Sequence, residues 1–335
     1  MTPTRISSKR DWTVMIYQGN GCYGKFDTHQ IDLLELQKLP QSDRVTFLTQ
    51  GHECYKENTL VRREIKPLEG WWNFTPPTET VKGRQNEAKQ LADFVKWGMK
   101  NYPSERTCLV ISGYAGGPNG MIADKKDGLM PLVDIRRGLK KGLDGKELDV
   151  LAFDGHWMAC IEAASEFDGV TDLMVASQGR MESWDYTERF SRLLDEPEAD
   201  SDTLASQLVK ADRGQSGMSV LWVDEAPNAN YWLNALMETC EQHGIVEGAL
   251  DKAESVYHFK DLHSLVDQFT RRGVPENVRA IALETEEALS DLTLEQGALK
   301  EEKLGGINVG TCYGGREEGR AFRRATGWDD FLKSA

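Results

Sequence analysis

The feature that most constrains this chain is a set of unbroken apolar runs, each about one strand long. Trp12 to Gln18 (WTVMIYQ) leads into the loop Gly19 to Gly24, and Thr107 to Ser112 (TCLVIS) into Gly113 to Gly120. Leu148 to Phe153 (LDVLAF) leads into Asp154, Gly155 and His156, and Arg44 to Thr49 (RVTFLT) is a fourth run. A strand that is apolar at consecutive rather than alternate positions has both faces buried. Between the runs lie helical periodicities. Asp27 to Leu39 repeats Ile31, Leu34, Leu36 and Leu39; Gln85 to Asn101 sets Ala88, Leu91, Phe94, Val95 and Met99 on one face; Val133 to Leu143 continues the pattern. The alternation predicts an α/β fold, a mostly parallel sheet flanked on both faces by helices. In such sheets ligands bind beyond the carboxyl ends of the strands, so the three glycine-bearing loops converge on one candidate site.

From Ala226 to Lys303 the character changes to amphipathic helix, including Tyr231 to His243, Lys260 to Arg272 and Val278 to Leu289. Gly306 to Tyr313 (GINVGTCY) then reads as a late strand and Trp328 to Leu332 as a short closing helix. The expected organisation is an α/β domain over residues 1–225 and a helical C-terminal region over 226–335 that returns a strand to the main body. At 335 residues the chain is about twice the usual ~150-residue domain, which suits that division.

Charge narrows the partners. With 40 basic and 54 acidic residues the net charge is −14, which repels a phosphate backbone and an anionic lipid surface. Neither nucleic acid nor membrane is expected, and no apolar run approaches the ~18 residues of a membrane span. Met1 to Trp12 lacks the apolar centre of a secretory signal, so the expected location is the cytoplasm. Cys22, Cys54, Cys108, Cys160, Cys240 and Cys312 are scattered without zinc-site or disulfide-framework spacing and read as free thiols. Gly116, Gly117 and Gly120 do not complete a phosphate-binding or dinucleotide fingerprint, and Tyr114, Asp154 and His156 lack a close multi-ligand spacing. No metal and no cofactor are expected.

Two strand ends carry a resemblance: LVISGYAGG (Leu109 to Gly117) and LDVLAFDGHWMACIE (Leu148 to Glu162). Together with WTVMIY, MVASQ followed by Trp184 and Tyr186, KDLHSLVDQF, GINVG and the terminal Trp328 to Leu332, they resemble, in order, landmarks of the clostripain-like cysteine peptidases from Trp12 to Leu332. The resemblance implies a caspase-like fold in which one strand end offers a histidine and the next a cysteine two residues after an aspartate. The histidine helps activate the thiolate. On that pattern Tyr114 falls at the histidine position and His156 at the cysteine position. A phenol with a pKa near ~10 is a poor base at neutral pH, and an imidazole is a poor substitute for a thiolate against a peptide amide. Hydrolysis by the family's mechanism is therefore not expected.

The resemblance also places Asp154 where the family lines a pocket for arginine or lysine. Two readings follow: an open pocket contacting a basic side chain, or a pocket closed by His156. Ser177 and Gln178 fall on the family's substrate-side strand and Trp184 at its aromatic neighbour, with ordinary packing at the sheet edge as the other reading. The expected function is a peptidase homologue without the Cys-His pair that binds a protein or basic peptide segment in a regulatory or scaffold role. The alternative is an active cysteine peptidase specific for arginine or lysine, its nucleophile relocated to Cys22, on the first loop, or to Cys160. Cys160 shares a face with His156 if a helix begins at Gly155. A third reading is a structural subunit whose former cleft is filled by Tyr114, His156 and Trp157. Lys125 and Lys126 lie in a charged loop, ADKKDG, where active members are cut during maturation; a solvated surface loop is the simpler reading.

Overall fold

The computed structural model describes residues 10–19, 28–52, 56, 58–67, 75–124, 128–181, 184–297, 304–311, 313 and 318–334. The first apolar run forms β1 (Arg10–Gln18), buried from Trp12 onward, and helix Thr28–Lys38 connects it to the parallel strand β2 (Val45–His52). Two strands that the apolar pattern did not announce, β3 (Thr59–Glu64) and β4 (Glu79–Lys82), fold back antiparallel beside β2. Helix Ala88–Asn101 then carries the chain to β5 (Ser104–Ser112), parallel to β1 on its other side. After the hairpin β6 (Met121–Asp124) and β7 (Gly128–Met130) comes helix Leu132–Leu143, followed by β8 (Leu148–Asp154) and β9 (Thr171–Ser177), both parallel to the core strands.

Past helices Tyr186–Asp195 and Ser201–Lys210, β10 (Met218–Trp222) runs antiparallel on β9. The long helix Ala226–His243 begins where the sequence changes character. A short hairpin follows, β11 (Ser255–Val256) and β12 (Phe259–Asp261). Helix Glu276–Leu292 delivers β13 (Thr293–Gln296) to the outer side of β10, and β14 (Asn308–Gly310) pairs with β12. Among the described residues the main sheet thus has nine strands in the order β13-β10-β9-β8-β5-β1-β2-β3-β4, with five parallel strands at its centre.

Consecutive apolar residues on the central strands serve opposite faces, as the period of two requires. Met15 and Tyr17 of β1, Leu109 and Ile111 of β5, and Leu151 and Phe153 of β8 join one cluster, under helices 88–101, 132–143, 226–243 and 276–292. Trp12, Val14 and Ile16, with Val110, Val150 and Ala152, join the other, under helices 28–38, 186–195 and 201–210. Phe322, Trp328 and Phe331 from the last two helices (Arg320–Ala325 and Trp328–Ser334) belong to the first cluster. The hydrophobic core on that face therefore runs through residues on both sides of Ala226.

Three local expectations are corrected. The helix anticipated from Gly155 begins at Ile161 (Ile161–Phe167). The intervening segment spends its backbone donors on the end of β9: Trp157 N–H donates to the Gly179 carbonyl at 3.1 Å and Ala159 N–H to that of Ser177 at 2.9 Å. The helix read over Lys260 to Arg272 is only Leu262–Asp267, because Phe259–Asp261 is strand and the Asp261 carboxylate caps the helix by accepting Ser264 N–H at 2.7 Å. Of GINVGTCY, only Asn308–Gly310 is strand, and Cys312 lies outside the described residues.

A candidate site at the carboxyl ends of two central strands

Ser112 and Asp154 close β5 and β8 and stand opposite each other in register. Gly113 N–H donates to the Asp154 carbonyl at 3.0 Å, so the two loops leave the sheet side by side. Gly155 permits this approach. A Cβ there would lie within 3.0 Å of Met121, Ala115 and the Gly113 carbonyl, closer than real contacts allow.

The Asp154 carboxylate points inward. Its Oδ2 accepts the Ser112 hydroxyl at 2.9 Å and the Tyr186 phenol at 3.0 Å, and only 7% of the residue is exposed. Burial pushes its pKa up, against the pull of Ser112, Tyr186, Arg189 and the Trp184 backbone N–H. Arg189 is itself buried, with its guanidinium 4.3 Å over the Trp184 ring; it donates to the Leu208 carbonyl and lies 3.5 Å from Asp212. An internal cation therefore already supplies positive potential to Asp154. His156 takes no part in these contacts.

Tyr114 and His156 are brought together: their rings meet edge to face, centroids 6.1 Å apart at 85°. Tyr114 is 54% exposed, and its carbonyl accepts the Ile122 N–H at 2.8 Å. His156 is half-buried, and its Nδ1 accepts the Met181 backbone N–H at 2.9 Å. That bond assigns the neutral ring's proton to Nε2. Burial and then the charge of Arg180 lower the His156 pKa below its ordinary value, so the ring is neutral at physiological pH.

Trp157 extends this surface. Its indole stacks on Tyr257 (5.0 Å, 8°) and tilts against Phe259 at 5.9 Å, joining the β8 loop to the β11–β12 turn. Tyr257 is 69% exposed. Both stacked residues hold left-handed backbone, Trp157 at φ +59° and Tyr257 at φ +61°, and so does the β-branched Ile122 at φ +63° behind Tyr114. Each such residue costs on the order of 1–3 kcal/mol and persists where surrounding contacts fix it. Sequence reasoning missed Tyr257 because a Tyr-His turn lacks the asparagine or glycine that announces a tight hairpin.

The other anticipated residues sit deeper. Ser177 is fully buried, and its hydroxyl, with one proton to donate, lies within hydrogen-bond reach of two carbonyls of the fold, Ser216 at 2.8 Å and Gly179 at 2.9 Å. Gln178 is the centre of a buried polar hub. Its Nε2 donates to Asp261 Oδ2 (2.7 Å) and Asn308 Oδ1 (2.9 Å), while its Oε1 accepts Gly306 N–H at 3.1 Å. Trp184 is buried under Arg189, and its indole N–H points to the Met181 sulfur at 2.9 Å.

Cys160 does not share a helix face with His156. It is the extended residue before the helix, bridges to Asn308 and is fully buried, and burial with Glu162 beside it raises its thiol pKa well above the ordinary value. Cys108 is raised likewise, and Cys240 is pushed up to about 12, both mainly by burial. Cys22, Lys125 and Lys126 lie outside the described residues. Among the described residues no group of three His, Cys, Asp or Glu side chains fits a metal ion, and no helix is long and apolar enough to cross a membrane.

Comparison with known proteins agrees with this architecture. The model of the Clostripain family matches residues 75–239. Over nearly the whole chain the fold is similar to that of an inactive zymogen C11 protease from Parabacteroides distasonis (TM-score 0.72, 13% identity, 98% of each chain covered). It is also similar to a secreted C11 cysteine protease from Bacteroides thetaiotaomicron in complex with an irreversible peptide inhibitor (TM-score 0.71, 11% identity, covering 97% of this chain and 100% of that one). No curated protein matches the sequence. The mixed α/β fold with its large, mostly parallel sheet is thus the caspase-like fold of the C11 proteases.

Proposed function

We propose that this chain, with the fold of the C11 proteases and a Clostripain-family match over residues 75–239, is a non-catalytic homologue that binds a polypeptide segment where an active relative would cleave one. The observation that carries the reading is the state of His156. At the position where the resemblance expects a thiolate, the chain presents a neutral imidazole with Nδ1 engaged by the Met181 N–H, facing an exposed phenol rather than a second imidazole. Neither group is suited to attack an amide.

Binding is favoured over a purely structural role by the exposed Tyr114 and Tyr257, which flank His156 and Trp157 on a backbone held in costly left-handed conformations. Amphipathic aromatics of this kind anchor polypeptide partners. Asp154 supports the surface from below, its carboxylate being engaged by Ser112 and Tyr186.

Selection of a random peptide library on the immobilised protein tests the reading. Tyr114→Ala and Tyr257→Ala should each weaken the enriched peptide about tenfold, equivalent to ~1.4 kcal/mol. A peptide whose affinity neither change alters would refute the assignment of this surface. A second reading, with Cys22 as a relocated nucleophile, rests on one contact: Gly19 N–H, just past the end of β1, donates to the Ser112 carbonyl at 2.6 Å, two residues before Tyr114. Cys22 labelling by iodoacetamide at a pH well below ~8.5, blocked by the enriched peptide, would favour it.

A further inference from the structure

At the opposite end of the sheet, where β9 begins, lies a cleft of about 690 Å³, within the size range of ligand pockets. It sits between the start of helix 201–210 and the β9, β10 and β13 edge, on the sheet face that this helix leaves partly uncovered. Leu173 and Val220 form its floor, and Trp222 and Leu294, 43% and 47% exposed, form its apolar walls. Two large apolar side chains facing solvent across a cleft are an unusual use of a sheet edge, since edges are commonly blunted by charge.

Five carboxylates line the rim of the cleft beside Ser201 and Ser206: Asp172, Asp200, Asp202, Asp224 and Glu295. The fold offsets part of this charge: the hydrogen bonds from Thr203, and then the charge of Arg106, hold the Asp200 carboxyl below its usual range. Lys210 comes within 3.6 Å of Glu295, and Asp200 caps its own helix through the Thr203 N–H. Asp172, Asp202 and Asp224 make no ion pair among the described residues. Burial, reinforced by the charges of Asp224, Asp149, Glu147 and Asp202, raises the Asp172 pKa, as expected for carboxylates crowded together without a cation.

We propose that this cleft is a second docking site, distinct from the Tyr114–His156 surface, for a cationic segment of a partner protein in which lysine or arginine flanks an aliphatic or aromatic residue. Charge complementarity selects the occupant. The apolar side chain covers Trp222 and Leu294, the flanking cations meet the rim carboxylates, and a lysine or arginine over the exposed Trp222 face gains a cation–π contact. A nucleic acid or an acidic peptide is repelled by the same rim.

The test uses a fluorescein-labelled short peptide alternating lysine and leucine, with fluorescence anisotropy on the full-length protein. Saturable binding is expected, weakening as salt is raised, with none for the counterpart carrying glutamate in place of lysine. Asp172→Asn combined with Asp224→Asn, and separately Trp222→Ala, should each weaken binding about tenfold. Glu238→Gln combined with Glu241→Gln, which removes the same charge from the exposed side of helix 226–243, should leave affinity unchanged. The proposal is overturned by an absence of saturable binding, by equal weakening in the two charge pairs, or by indifference to Trp222→Ala. Calcium that binds alone, displaces the peptide and shares its sensitivity to Asp172→Asn with Asp224→Asn would reassign the rim to a metal ion. Changes at Tyr114 or Tyr257 should not affect this peptide, so failure here and failure of the polypeptide site at the other end are separable.

Discussion

Replacing Gln178 by leucine separates a supporting role from a ligand-binding one. Gln178 makes three side-chain hydrogen bonds, to Asp261, to Asn308 and from Gly306 N–H, all buried. After substitution the Asp261 carboxylate keeps the N–H groups of Ser264 and Gly305, so it loses one of three partners. The Asn308 amide nitrogen still donates to the Gln178 backbone carbonyl, but its Oδ1 and the Gly306 N–H lose the partners that Gln178 supplied. Two orphaned groups at about 1–2 kcal/mol each, plus roughly 1.5–3 kcal/mol for the bond to a carboxylate, give a loss of about 5 kcal/mol. That is a large fraction of the roughly 5–15 kcal/mol that holds a typical protein folded. Urea denaturation should show a midpoint shifted far down with an unchanged slope. The surviving folded fraction should bind the peptide selected on the Tyr114 surface with unchanged affinity. A loss under ~1 kcal/mol, or weakened peptide binding in fully folded protein, would refute the account of this hub.

Three further outcomes follow from the geometry. The His156 ring, followed by NMR, should titrate below the ordinary ~6.5, since burial and Arg180 both disfavour its charged form. The unfolded chain then binds the proton more readily, so His156's contribution to stability is present above pH ~6.5 and is lost as pH falls toward the lowered folded value; His156→Asn should remove that slope, and an unaltered slope would contradict the assignment. Cys108, Cys160 and Cys240 should resist iodoacetamide in the native protein and react only on unfolding, as mass spectrometry of digests can show; native labelling of Cys160 at the rate of an exposed thiol would contradict its burial. Tyr257→Ala should lower stability by about 1–2 kcal/mol through loss of the Trp157 stack, and Tyr257→Gly should cost less, because glycine accepts φ +61° freely; thermal melts giving the reverse order would contradict the strain argument.

The central strands were legible because burial on both faces leaves an unbroken apolar run, which is why β1, β2, β5 and β8 could be read within a few residues of their ends. The outer strands were not. β3 (TLVRRE) and β4 (ETVK) carry charge along much of their length, and β13 is assigned only by its distant pairing with β10. The approach of Tyr114 to His156 followed from the family resemblance, which sets the two at successive strand ends, whereas the inward turn of Asp154 depends on Tyr186, 32 positions later. The segment from Gly155 to Cys160 has helix-compatible composition, yet its donors are taken by Ser177 and Gly179 of the neighbouring strand end, a tertiary preference that no local pattern encodes. The aromatic surface was legible only in part, since Trp157 is adjacent to His156 but Tyr257 arrives from 100 residues downstream.

The most direct test of the central claim is hydrolysis of a fluorogenic peptide library carrying arginine or lysine before the reporter, with Cys22→Ala, Cys160→Ala and His156→Ala variants assayed beside the unaltered protein. The account predicts no turnover in any of the four. Turnover that His156→Ala and Cys22→Ala both abolish would contradict it and establish a working peptidase with a displaced nucleophile.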